Sequence, residues 1–418
     1  MSVTAGSWAD AIGGFREHGP IFLAGACGEP TAFLDAMEED PELGQGRVFT
    51  GVWIPGVNAR DPTSANSNRR ALSTFATPAL AGSVASGLTD ILPLHYSETY
   101  RWLAGPARVA GAVIQVPPPK KGTIGLGVAS DFTPAVMESG APVVAQLNPA
   151  MPDTLNGPRY RIDRFSALIE AETQVLQYDV GSPNDTFRTI AGHVAELIND
   201  NDYVQFGLGK LQTSVLRALD GHRGLQLHGG MISVEFLACL ETGVFASATT
   251  GVALGDDAFY RTVALDPRIS FREVGFTHSA TTLASLPSFV SVNSILEVDL
   301  LGQGNGEFMG REQITGHGGL VDFIRGSKAS PGGRSILALP ATASGGTRSR
   351  IVPRLTKDTP VTVARSDPDW IVTEFGAANM RFATVEERAQ RLIAIAAPRH
   401  REELSRAWDE ISGRGEAN

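Results

Sequence analysis

The 418-residue sequence predicts an α/β protein built as two layered halves, and three observations predict it. Short, wholly apolar runs such as "PIFLAGA" (20–26) and "ARVAGAVIQV" (107–116) read as strands covered on both faces, as in parallel sheets. Helix-length segments with apolar residues at helical spacing alternate with them, which is the pattern of α/β layers. The 46 glycines and 25 prolines are spread along the chain as frequent turns and form no single linker. The length exceeds one ordinary core, so two domains of roughly 200 residues are expected.

The first half reads as strand 20–26, helix "PTAFLDAMEED" (30–40) opened by a proline suited to a first helical turn, and strand "RVFTGVWIP" (47–55). Strand 107–116 runs into the loop "PPPKKGTIGLG", and "APVVAQLNPAMP" (141–152) repeats the scheme with a strand ending at Asn148-Pro149. The boundary falls in "YDVGSPND" (178–185), dividing the chain into 1–182 and 183–418. Beyond it, Asn184 or Asp185 caps a helix whose apolar face is Phe187, Ile190, Val194 and Leu197. "YVQFGLG", "LEVDLLG", "SILALPA", "PVTVAR" and "DWIVTEFG" read as strands, and "ATVEERAQRLIAIAA" as a helix begun by a Thr384/Glu387 capping box. No short tandem repeat is present.

A net charge of −10, with no basic run, argues against a nucleic-acid partner. Cys27 and Cys239 are the only cysteines, so neither a disulfide framework nor a CxxC metal site is expected. A reducing cytoplasm fits. The start "MSVTAGSWADAIGG" lacks the pattern of a signal peptide, and no apolar run has the length of a membrane helix.

Several segments carry residues suited to chemistry, each with a plainer structural alternative. In "LQLHGGMISVEF" (225–236), Gly229 and Gly230 interrupt a strand beside His228, which marks a bend or a close approach. His228 suits a general base or a hydrogen-bonded structural histidine. "FGLGKLQTSVLRAL" (206–219) sets Gly207 and Gly209 before a helix that starts at Lys210, where free amides hold an anion or simply form a turn. Gly316, Gly318 and Gly319 surround His317 in "TGHGGLVDFIRG", an arrangement for oxyanion-hole amides or an exposed glycine turn. "ATASGGTRSRIVPR" joins Ser344 to Arg348 and Arg350, groups that suit phosphate. Asn293, Glu297 and Asp299 lie on an alternating strand, where the two carboxylates share one face as an acid–base pair or as a strand's polar end.

Taken in order, "QVPPPKKGTIGLGVASDF", "QLNPAMP", "FGLGKLQTSVL", "LHGGMIS", "VNSILEVDLLGQGNGE" and "GHGGLVDFIRGSKASPGGRSILALPATA" resemble the acetyl-CoA hydrolase/transferase family, which includes the 4-hydroxybutyrate CoA-transferases. "SRIVPRL", "VTEFGAANMR" and "EERAQRLIAIAAPRHREEL" continue the resemblance, which spans roughly residues 20 to 405. It implies two α/β domains of the NagB/RpiA/CoA-transferase type with a thioester cleft between them. The acceptor side then falls on 1–182, and the CoA-binding and catalytic side on 183–418. It further implies acyl-CoA and a small-molecule acceptor as substrates, no metal or nucleotide redox cofactor, no membrane partner, and a homodimer. Gly207 and Gly209 would line the CoA pocket with Lys210 at its edge, and Asn293 would stand near the substrate. Gly316, Gly318 and Gly319 would lie against the thioester, with Ser344 and Arg348 near the pantetheine or phosphates.

The chain departs from the family at its catalytic stretch, which reads approximately Leu-x-His-Thr-Glu-Met-x-Ser-Asp-Gly. His228, Met231 and Ser233 fit, but the covalent glutamate falls on Gly230. Pro119, Lys120 and Lys121 replace acidic and histidine positions, and a GGQ-like triplet becomes Gly318-Gly319-Leu320. The family's glutamate attacks the acyl-CoA carbonyl and then carries CoA as a thioester; glycine has no nucleophile. The expectation is direct acyl transfer to an acceptor standing in the vacated space, with His228 or His317 as base and the Gly318/Gly319 amides as oxyanion donors. The alternatives are hydrolysis, CoA transfer through Glu235 or Glu297, and a non-catalytic CoA-binding protein.

Overall fold

A computed structural model describes residues 3, 4 and 6–413, and the chain packs as two compact units. The first comprises residues 1–179 together with 229–237 and 247–279; the second comprises 180–228, 238–246 and 280–418. The expected cut at 182/183 differs from this by two returning segments. Their hydrogen bonds explain why they pack where they do. Met231–Ser233 pairs in parallel with Val252–Leu254, the Ala253 amide donates to Val128 O (2.9 Å), and the Ser130 amide donates to Gly251 O (2.8 Å).

The first unit holds an eight-stranded parallel sheet in the order Val3–Thr4, Ala167–Glu170, Val143–Leu147, Gly111–Val116, Ile21–Leu23, Val48–Gly51, Arg70–Ser73, Thr89–Ile91. Successive residues serve opposite cores. Phe22, Ile114, Val143 and Ala145 pack on one face with Phe132 and Val136, while Leu23, Val113 and Val144 pack on the other with Phe33 and Met37. Burial on both faces is the reason these strands read as unbroken apolar runs. Strand order reverses between Ile21–Leu23 and Gly111–Val116, so their carboxyl ends open the crevice typical of such sheets. The segment 24–29 leaves from that point.

In the second unit the strands run Leu225–His228, Tyr203–Phe206, Phe289–Ser294, Arg334–Ala338, Trp370–Thr373, Gly376–Asn379, all parallel except the last, which closes a hairpin. Helix Val385–Ile395 starts at the Thr384/Glu387 capping box and seals a core of Leu337, Ile371, Leu392 and Trp408. Asn184 caps Asp185–Ala195 by accepting the Phe187 amide.

One expected strand is absent. "PVTVAR" (360–365) makes only an isolated bridge, Val363 to Gly304. The Thr362 and Val363 amides both turn to Gly304 O, and the Thr362 hydroxyl donates to Glu307, so the segment clamps a loop instead of extending a ladder. Pro360, with no amide hydrogen, cannot extend one either. Among the described residues no helix is long and apolar enough to cross a membrane, and no three His, Cys, Asp or Glu cluster as metal ligands.

Candidate active site

In the first unit, chain segments converge around Gly230. Its carbonyl accepts the amides of Gly251 and Val252, both at 3.0 Å, which holds the Gly229–Gly230 link in place. An ideal Cβ on Gly230 would lie 3.2 Å from His278 Cε1 and 3.5 Å from its Nε2. The space left by the missing side chain is therefore not vacant at its root, because an imidazole edge stands across it. That corrects the expectation of an open space beside Gly230.

His278 is buried at the end of the short helix Val274–Thr277, against the Tyr96 ring (centroids 5.4 Å), and Tyr96 packs edge-on to Phe132 (5.0 Å). Asp131 lies in the same neighbourhood: its Cβ is 3.5 Å from the Cβ direction of Gly251, and its backbone carbonyl accepts the Val274 amide. Its carboxylate accepts the Phe132 amide (2.7 Å). Burial raises the Asp131 carboxyl from its ordinary 3.8 to about 7, against the lowering effect of that hydrogen bond. The buried hydroxyls of Thr74, Thr77 and Ser130 have no partner among the described residues.

At the switch point, Ala26 adopts a left-handed φ of 50° and Asn58 holds it there. Asn58 Oδ1 accepts the Ala26 and Ile54 amides, and Nδ2 donates to Ala26 O and to Glu29 Oε2 (2.8 Å). Burial raises the Glu29 carboxyl to about 7, opposed by Asn58 and by the Arg60 charge. Cys27 points its thiol at Ala253 O (3.2 Å), and burial pushes its pKa up, so it is an inert thiol.

Both raised carboxyls bear on stability. Each binds a proton in the folded state over a pH range where the unfolded chain has released it, so their contribution falls as pH rises from about 4 to about 7 and is level above. Asp131→Asn and Glu29→Gln are each expected to flatten part of that decline. Melting curves from pH 4 to pH 8 check it: the variants should gain on the native chain toward pH 8, and a constant offset at all pH values would contradict the assignment.

The second unit assembles the other expected residues into two groups. Asn293 and Gln205 exchange amide hydrogen bonds (2.9 and 3.2 Å), and a Cβ on Gly207 would lie 3.7 Å from Asn293 Oδ1 and from Gln212 Nε2. Gly209, at φ 115°, caps the helix Lys210–Ala218, and Lys210 is exposed beside Gly181. Gly207 and Asn293 are thus brought together at the head of a helix.

The other group centres on His317. Its Nδ1 stands 3.2 Å from Glu307 Oε2, and its side chain keeps 20% of its surface exposed. Buried Glu307 is held in turn by the Thr362 hydroxyl (2.8 Å) and, at 3.5 Å, by Gln313. A carboxylate on Nδ1 orients an imidazole as a base. Gly318 takes φ 54°, and Gly319 caps helix Leu320–Ala329, with Gly316 partly buried just before.

Other expectations change role. Glu297 is tied to Arg348 through one oxygen and to Asn305 through the other, so both oxygens of its carboxylate are engaged. Asp299 closes a turn, accepting the Leu301 and Gln303 amides, which is the polar-end alternative. Ser344 opens an exposed left-handed stretch with Gly345 and Gly346. His228 is buried edge-on to Phe289 (6.2 Å), and it is His278 whose ring meets a Cβ placed on Gly230. His278, Asp131, Asn58 and Glu307 carry no signal of their own in the sequence: Asp131 and Glu307 fall at the ends of longer glycine-rich stretches, and His278 and Asn58 in no motif.

Over 407 residues the chain is 30% identical to the 4-hydroxybutyrate coenzyme A transferase of Clostridium kluyveri, covering 94% of each. The chain belongs to the acetyl-CoA hydrolase/transferase family. The profile described as the acetyl-CoA hydrolase/transferase C-terminal domain matches residues 255–408. Among solved structures, RipA from Yersinia pestis superposes with a TM-score of 0.89 at 27% identity over 97% of both chains. The 4-hydroxybutyrate CoA-transferase of Porphyromonas gingivalis gives 0.78 at 29%, over 98% of this chain and 97% of that one. Membership of this family makes the protein an enzyme of acyl-CoA thioesters with a two-domain CoA-transferase fold.

Proposed function

We propose that the protein passes the acyl group of an acyl-CoA directly to a bound acceptor, with no glutamyl-CoA intermediate. One observation carries this reading: the position that resemblance gives to the covalent glutamate is Gly230, and His278 crosses its Cβ direction at 3.2 Å. No carboxylate can attack from there. The other candidate carboxylates are engaged: Glu297 by Arg348 and Asn305, and Glu235 by the Ser233 hydroxyl (3.3 Å).

In this reading Gly207, Gly209, Lys210 and Asn293 receive the CoA portion, with Ser344 near its phosphates, and the Gly318/Gly319 amides stabilise the oxyanion. Glu307-oriented His317 serves as an acid–base group on the CoA side. Residues 1–182, with the returning segments around Gly230 and His278, carry the acceptor. The resemblance implies a cytoplasmic homodimer. Hydrolysis is the second reading, with water as the acceptor; the family's description as hydrolase/transferase favours keeping it.

The test incubates the protein with an acyl-CoA panel and, in turn, acetate, alcohols, amines or no acceptor, following free thiol and protein mass. The expected result is thiol release without a CoA adduct on the protein, faster with an alcohol or amine. A CoA-sized mass gain at a carboxylate would overturn direct transfer, release unaffected by any acceptor would make the enzyme a hydrolase, and no release at all would leave a binding protein.

A further inference from the structure

We infer that Asp131 is the base that takes the proton of the attacking acceptor, and that it selects a protic nucleophile, an alcohol or an amine, over a carboxylate. The inference rests on the direct-transfer reading and deepens it.

Two routes of contact place this carboxyl beside Gly230. The first runs through Gly251, whose Cβ direction lies 3.0 Å from Gly230 O and 3.5 Å from Asp131 Cβ. Gly251 also donates its amide to Gly230 O (3.0 Å) and accepts the Ser130 amide (2.8 Å), so it ties the two segments together. The second runs through rings. The Asp131 charge acts on the Tyr96 phenol, Tyr96 packs on His278 (5.4 Å), and the His278 edge stands 3.2 Å from a Cβ placed on Gly230. All of these residues lie in the first unit.

The carboxyl is buried and only half engaged. One oxygen accepts the Phe132 amide (2.7 Å), and no hydrogen bond reaches the other among the described residues. Ser130, next in the chain, keeps a fully buried hydroxyl with no partner among the described residues. Unmet polar groups on adjacent buried residues are what a polar ligand would satisfy. The titratable groups on the elements packed against Asp131 are Cys27, Tyr96, Tyr100, Arg272, Glu273 and His278. Burial raises the pKa of the thiol and of both phenols, and Arg272 pairs with Glu273, so none of these five neutralises the carboxylate. Burial therefore sets the Asp131 titration at about 7, where a carboxyl both holds and releases a proton readily at neutral pH.

The chemistry of the acceptor follows. A carboxylate acceptor has no proton to surrender, and it would set a second negative charge against Asp131. An alcohol or amine attacks poorly until its O–H or N–H proton leaves. In the balanced step the acceptor's O or N forms a bond to the thioester carbonyl carbon as its proton passes to the Asp131 carboxylate. The C–S bond then breaks, its electron pair leaves with the CoA sulfur, and the proton on Asp131 passes to that thiolate. An ester or amide and free CoA result, with no oxidant or reductant needed.

The experiment compares the native chain with Asp131→Asn and Asp131→Ala, using alcohols, amines and carboxylates as acceptors and water as the smallest protic one. Asp131→Asn keeps an oxygen for the Phe132 amide and is expected to lower kcat by about 10²–10⁴-fold, with the KM for acyl-CoA within a few-fold. It should also erase the acid limb of the kcat–pH profile, which in the native chain rises through about pH 7 as the carboxyl loses its proton. Added formate should restore part of the ester formation in Asp131→Ala, which a purely structural role would not allow.

Thiol release that keeps its rate and acid limb in Asp131→Asn would overturn this inference while leaving direct transfer standing, as would efficient transfer to carboxylates alone without an adduct. A protein–CoA adduct in the native chain, at Asp131 or elsewhere, would overturn direct transfer itself. Should the variants fail to fold, the native profile decides, because a carboxyl ionises with little heat and an imidazole with much more. A limb whose midpoint stays put on warming supports Asp131; a flat profile, or a midpoint that falls on warming, counts against it.

Discussion

Gly230→Glu alone is expected to yield no glutamyl-CoA, whereas Gly230→Glu combined with His278→Ala is expected to yield a CoA-sized mass gain and carboxylate-dependent CoA transfer. The backbone does not forbid the side chain, for Gly230 has no left-handed φ. The obstacle is His278, whose Cε1 lies 3.2 Å from the new Cβ, closer than ordinary contact. Overpacking of this sort costs about 1–3 kcal/mol. Beyond the Cβ, the introduced carboxylate would meet the imidazole and pair with it once protonated. A carboxylate tied to a cation is a weaker nucleophile and is aimed at its partner, not at a thioester.

Removing the imidazole relieves both effects. Intact-protein mass spectrometry after incubation with acyl-CoA separates the variants. If the double variant folds and binds CoA but forms no adduct, the equivalence of Gly230 with the family's glutamate is wrong. If the single variant transfers CoA freely, His278 does not obstruct the position.

The sequence made the layers of the fold readable because burial on both faces and capping chemistry are local signals. Strands 20–26 and 107–116 announced themselves by continuous apolar residues that alternate between two cores, and Thr384/Glu387 announced a helix by its own capping box. The return of 247–279 to the first unit depended on hydrogen bonds to residues 128–131, well over a hundred positions away, and that of 229–237 on pairing with 252–254, which no periodicity encodes. "PVTVAR" misled for a related reason: its β-branched residues satisfy strand patterning, while its Thr362 hydroxyl is committed to Glu307.

The site was legible where glycines marked close approach. Gly207 does sit against Asn293, and Gly230 does meet another group closely. Its occupant was hidden because "FTHSA" resembles any helix end. Sequence drew attention to His228, the histidine beside the glycines, and the fold turned that ring toward Phe289.

Asn58→Ala is expected to destabilise the first unit by about 3 kcal/mol or more, a fall in melting temperature of roughly 6–12 °C at 2–4 °C per kcal/mol. The substitution removes four hydrogen bonds at one buried point: two amides accepted, from Ala26 and Ile54, and two donated, to Ala26 O and Glu29. Every partner left behind is buried, so each bears a desolvation cost with no replacement. Ala26 would also lose the restraint on its left-handed φ of 50°, and the loop leaving the crevice would relax toward the ordinary region.

Asn58→Asp gives the decisive control. It keeps the acceptor for the two amides but sets a second carboxyl against Glu29, whose pKa already stands at about 7. Below that pH the pair shares a proton, Ala26 O alone is left without its donor, and the variant should lie between the alanine variant and the native chain. Above it, two buried like charges repel, and stability should fall steeply as pH rises. Thermal melts of both variants from pH 5 to pH 8 distinguish the causes: alanine should lose stability at every pH, aspartate chiefly at the upper end. An aspartate variant equally stable across that range would show that Asn58 does not hold the Glu29 carboxyl.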